Sequence, residues 1–177
     1  MLCAALTALG PASAAGQVPV TRVAVPCDAP DADPWIGDLR ESVVGYDGLA
    51  RFALERYGIP VACEGAVTDE FDGAKFGHVV LRFAGDIALE VRTMPPETSV
   101  WTLRAPAGFG DEGAVRRALE EHASGIGLAI DWATPQVRTE GDELVHAFWD
   151  PDEGLNASAS LIFSGGRLVA VRVSMAL

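Results

Sequence analysis

The chain is short of lysine. Lys75 is the only one, and the 13 Lys+Arg face 25 Asp+Glu for a formal net charge of −12. A nucleic-acid binder needs a basic face, so this balance counts against one. It counts equally against a protein that docks on anionic lipid. Long apolar runs are missing too. No stretch approaches the ~18 residues that a membrane-spanning helix requires. Histidine is scarce: His78, His122 and His146 are the only three. None pairs with another at helical spacing and none stands in an H-E-x-x-H string, so zinc chemistry has no support and no metal is expected. No G-x-S-x-G elbow occurs either. Ser124 and Ser164 sit beside glycines in turns, with nothing to single out a nucleophile.

What is present reads as a globular chain. Of the 177 residues, 49% are apolar and 21% charged. That composition excludes global disorder, and the length suits one domain with a core large enough to fold without a metal. Arginine in place of lysine, with abundant Ala, Gly and Val, fits a GC-rich bacterial source.

The first residues look like an export signal. Leu2 to Leu9 is apolar, Gly10-Pro11 ends it, and Ala12-Ser13-Ala14 is a small-x-small cleavage pattern. The basic front of such a leader is missing, since Arg22 is the first cation. We therefore expect a signal peptide over 1–14, truncated at its start, a single domain over 15–177, and a periplasmic or secreted location. Cys3 falls in the leader. Cys27 and Cys63 remain, and a pair in an exported chain reads as one disulfide. It would close a loop of about 37 residues and contribute about 4 kcal/mol on the chain-entropy account.

Periodicity sets the expected fold. Proline and aspartate mark a loop over 16–37, which a strand over 18–25 precedes. Asp38 can cap a short helical turn to Val44. Asp47 can cap a helix with Leu49, Ala50, Ala53, Leu54 and Tyr57 on its apolar face, ended by Gly58 and Pro60. From Gly77 the period changes to two, giving strands around 79–83, 87–91 and 99–103. A second helix carries Val115, Ala118, Leu119, His122 and Ile126. Strands at 128–132, 137–139, 143–149, 155–163 and 169–175 follow, the last two joined through Ser164-Gly165-Gly166-Arg167. The expected class is α+β, with mostly antiparallel pairing and two main helices. Ala53-Leu54-Glu55 is echoed by Ala118-Leu119-Glu120, as in a duplicated α-β-β-β unit.

Three strings invite chemistry. Gly108-Phe109-Gly110-Asp111-Glu112-Gly113 has the spacing of a dinucleotide fingerprint. Asp111 and Glu112 would place charge where a pyrophosphate must sit, and alternating strands are wrong for a parallel sheet. They read better as a helix cap, and no cofactor is expected. Asp69, Glu70 and Asp72 form one acidic cluster; Asp150, Asp152 and Glu153 form another, without the spacing of a calcium loop. Trp35 follows Asp31 and Asp33, and Trp149 precedes Asp150. An aromatic anchor among like charges suits a protein interface, so Trp35, Asp31, Asp33, Trp149, Asp150 and Asp152 are the candidate binding residues.

These features point to an exported, non-enzymatic binding module. Its acidity would steer a basic protein partner, with an inhibitor or immunity protein of a lytic enzyme as one form. The alternative is a binder of a small ligand or envelope component. A hydrolase without a recognisable motif is a third reading. A flat acidic face with an exposed Trp would favour the first, and an apolar cavity above ~300 Å³ the second.

Overall fold

The computed structural model describes residues 23–25, 34–45, 48–95, 98–152 and 154–176. The leader, Cys27, Asp31 and Asp33 lie outside them.

The chain runs through β1 (Val23–Val25), α1 (Pro34–Gly45), α2 (Leu49–Tyr57), β2 (Ala62–Phe71), β3 (Ala74–Arg82), β4 (Ala88–Met94), β5 (Thr98–Arg104), α3 (Glu112–Gly125), β6 (Gln136–Glu140), β7 (Glu143–Asp150), β8 (Gly154–Ser164) and β9 (Arg167–Ala176). The nine strands form one sheet in the order β1-β2-β3-β4-β5-β9-β8-β7-β6, and every pairing is antiparallel. The fold is α+β, as the alternation implies.

Two similar halves make this sheet. Each is a helix followed by a four-stranded meander: α2 with β2 to β5, then α3 with β6 to β9. The repeat unit is thus one strand longer than the expected α-β-β-β. The halves join through their last strands, where Trp101 of β5 pairs with Val173 of β9. Thr98↔Ala176 and Arg104↔Ala170 close the two ends of that seam.

Among the described residues, helices cover one face only. Val79, Leu81, Leu89, Val91, Leu103, Val171 and Val173 point to that side and meet Leu49, Ala53, Val115 and Leu119 in the core. Their alternates point the other way, where Val145, Ile162, Val169 and Ala170 form a second, small buried cluster and the rest are mostly polar. α1 packs across β2 at Gly65, where a Cβ would overlap Ile36 Cγ2. That approach explains a glycine inside a strand. β2 is the strand that periodicity did not supply, because Gly65 and the acids Asp69 and Glu70 break its alternation. The acidic cluster turns out to be its hairpin, with Asp72 and Gly73 at φ 51° and 79°, the left-handed values of a type I′ turn.

Other local expectations meet the structure in different ways. α1 is longer than expected and starts at Pro34, whose fixed φ suits a first helical position. Gly48 holds the cap position of α2, while Asp47 lies outside the described residues. Asp111 caps α3 by accepting from Ala114 N at 2.9 Å. Residues 128–132 are not a strand. They form an irregular link whose buried Leu128 and Ile130 fill the core, anchored by Asp131 N donating to Trp149 O. No described helix is long and apolar enough to cross a membrane.

Candidate functional site

The uncovered face of the sheet is built in cross-strand rows. One row, read strand to strand, is Glu64, Val80, Glu90, Thr102, Arg172 and Ser160. The next is His78, Arg92, Val100, Ser174, Ser158 and Trp149. A third runs from Arg82 through Ala88 and Arg104 to Ala170, Ile162, Val145 and Arg138. Period-two alternation puts all of these on one side. Joining β5 to β9 places the two meanders' outward residues side by side.

Ion pairs lace this face. Arg82 holds Glu64 through Nε and Nη2, at 2.5 and 3.2 Å. Arg104 holds Glu143 in the same two-pronged way, at 2.5 and 3.2 Å. Arg92 donates to Glu90 at 2.8 Å, and Arg138 to Glu140 at 2.8 Å. Arg172 comes within 3.6 Å of the same Glu140. Hydrogen bonding to Glu64 raises the pKa of Arg82, and that to Glu143 raises the pKa of Arg104. The Glu143 carboxyl is held below its usual range, first by its bond from Arg104, and the Glu140 carboxyl likewise, first by Arg138. Five guanidiniums therefore face four carboxylates. In a chain of net charge −12 the excess acid lies off this face.

Two adjoining hollows open on it. One, of about 440 Å³, is lined by residues of β4, β5, β8 and β9 together with Arg138 and Trp149. The other, of about 340 Å³, lies over β2 to β5 and includes His78. Both are polar, so neither is the apolar cavity that a greasy ligand would need. Nor is the face a flat acidic surface.

The residues singled out from the sequence do not gather there as a set. Trp149 does: it is half-buried in the wall of the larger hollow, and its indole N–H is buried without an acceptor. Its neighbour Asp150 points the opposite way and is 2% exposed. Its carboxylate accepts from Ala129 N at 2.6 Å and Asp152 N at 2.9 Å, tying the link after α3 to the end of β7. Asp152 is exposed in that turn. Trp35 lies on the helix side, half-buried against the core. Cys63 is buried in β2 and pairs with Val25, two residues before Cys27.

The remaining strings fall to structural duties. The glycine-rich stretch follows a strand whose pairings are all antiparallel, and Glu112 accepts from Leu168 N at 3.1 Å. Asp111 caps the α3 terminus, where a pyrophosphate would have to sit. His122 is core, 2% exposed and 4.7 Å from the Trp101 ring. His146 lies 5.0 Å from the Phe163 ring. Among the described residues, no group of three or more His, Cys, Asp or Glu is arranged to hold a metal.

Sequence reasoning missed the arginines. The signal was there in Arg82, Glu90, Arg92, Arg104 and Arg172, each an outward alternate of a strand. Compared with protein-family models, curated proteins and solved structures, the chain matches none at a significant level.

Proposed function

We propose that the chain is an exported, non-enzymatic binding module whose recognition surface is the uncovered face of its sheet. One observation carries the reading. Among the described residues, a nine-stranded sheet with helices on one side only leaves much of the other side as a polar, hollowed surface of arginines, carboxylates and hydroxyls, beside a small buried patch of Val145, Ile162, Val169 and Ala170.

The export reading rests on the small-x-small pattern after an apolar stretch. A Cys27–Cys63 disulfide belongs to the same reading. The β1–β2 register supports it by bringing the chain before Cys27 against Cys63. Thiol titration of the unreduced full chain should find neither of these two cysteines reactive, and two reactive thiols there would contradict the bridge.

A net charge of −12 speeds encounter with a cation-rich protein, the partner class expected from the sequence, but that acid lies off this face; the face itself, with five guanidiniums against four carboxylates, fits a partner that presents carboxylates. The larger hollow favours the second reading, a small polar ligand or envelope component. The test is affinity capture from host envelope and secreted material, at low and high salt. The full chain is immobilised beside its Arg92→Gln/Arg172→Gln variant. Specific retention by the native chain and loss by the variant would support the reading. Equal retention by both, or no specific retention, would overturn it.

A further inference from the structure

The larger hollow has an unbalanced charge at its centre. Four guanidiniums reach it, those of Arg92, Arg104, Arg138 and Arg172. Three carboxylates answer them. Glu90 takes Arg92, Glu143 takes both prongs of Arg104, and Glu140 accepts from Arg138 at 2.8 Å. Arg172 shares Glu140 with Arg138, reaching its other carboxylate oxygen at 3.6 Å. It is 28% exposed and stands mid-sheet between Thr102 and Ser160. A guanidinium stays charged at any physiological pH, and its fork matches a carboxylate in two parallel hydrogen bonds.

The surroundings of Arg172 complete a description of what it would hold. Ser158 and Ser174 are paired across β8 and β9 in the next row, and Thr102 lies beside Arg172. Each hydroxyl both donates and accepts, as a ligand hydroxyl does. Trp149 and Val100, in the same row as the serines, give an apolar edge for a carbon skeleton. The volume of about 440 Å³ is within the range of small-molecule sites. Four guanidiniums sharing three carboxylates leave one positive charge in excess, which in a molecule of net charge −12 suits a monoanion and disfavours a dianion.

We infer that this hollow binds a small hydroxylated monocarboxylate, a hydroxy acid or sugar acid. The carboxylate sits on Arg172, the hydroxyls on Ser158, Ser174 and Thr102, and the carbon face on Trp149. The inference rests on the reading of the uncovered face as the recognition surface, and it names the ligand class.

The test is titration of the isotope-labelled full chain with lactate, gluconate and glucuronate, followed by NMR at the Trp149 indole N–H and the Arg172 Nε–H. Sorbitol serves as the neutral counterpart and inorganic phosphate as the competing anion. At least one of the three acids should shift both signals saturably, with a Kd of about 1 mM or tighter. Sorbitol should not. Arg172→Gln should weaken the effect about tenfold or more, with the remaining amide spectrum unchanged. No saturable shift from any of the acids would overturn the inference. So would equal shifts from sorbitol, undiminished binding by the variant, or phosphate binding more tightly than all three acids. If the acids fail while Arg92→Gln/Arg172→Gln still loses its captured partner, the ligand class falls and the recognition surface stands. If both fail, both fall.

Discussion

The two faces of the sheet are made by the same strands and do different work. Leu103 and Thr102 are neighbours on β5. Leu103 is fully buried under the helices, and Thr102 lies on the floor of a polar hollow. The covered side is continuous hydrocarbon, with Val115 and Leu119 of α3 filling it from above. The uncovered side holds its long side chains in place with ion pairs. Apolar burial stabilises by about 25 cal/mol per Å², whereas exposed ion pairs give about 0–1 kcal/mol each. The covered face therefore carries most of the stability; on the other face the apolar exception is the patch of Val145, Ile162, Val169 and Ala170, and the polar remainder can carry recognition at little cost to the fold.

That contrast can be broken most violently at its core. Leu103→Ala should cost about 2–5 kcal/mol in urea unfolding, through lost burial and a residual cavity. Thr102→Ala, one residue away, should change stability by less than about 0.5 kcal/mol. Next in size is Gly65→Ala. The added methyl would push against Ile36 and lift α1 from β2, at about 1–3 kcal/mol in the same measurement. Asp111→Ala removes the cap of α3 and should cost about 1 kcal/mol.

The uncovered face should answer to pH instead. Glu143 and Glu140 have folded-state pKa values below their unfolded ones. Their contribution is fully present above the unfolded carboxylate pKa, near ~4.3, and is lost as pH falls through the folded values. Glu143→Gln should cost about 1 kcal/mol or less at neutral pH, where its pair with Arg104 is partly exposed. It should also flatten the fall in stability as pH drops below about 4.5, read from urea midpoints across the acid range.

The sequence carried the covered face better than the uncovered one, for a physical reason. Alternation of Val79, Leu81, Leu89 and Val91 with polar neighbours is a local signal, and it led directly to antiparallel strands. β2 escaped because the close approach of Ile36 demands Gly65, which erases the pattern at that point. The link over 128–132 looked like a strand because its buried Leu128 and Ile130 alternate, yet it pairs with no strand. The candidate site was harder. Which residues face outward on β5 and β9 is legible, but that Thr102 meets Arg172 depends on strand order, and no local pattern encodes that. Trp149 was singled out for its acidic neighbour, whereas alternation sends Asp150 to the other side of the strand.

The central claim is that recognition and stability are divided between the faces. The most direct measurement takes Arg92→Gln/Arg172→Gln and Leu103→Ala through both urea unfolding and partner capture. The arginine variant should keep its stability within about 1 kcal/mol and lose the partner. The Leu103 variant should lose about 2–5 kcal/mol and, where still folded, keep the partner. An arginine variant that unfolds as readily as Leu103→Ala, or that holds its partner as well as the native chain, would contradict the division.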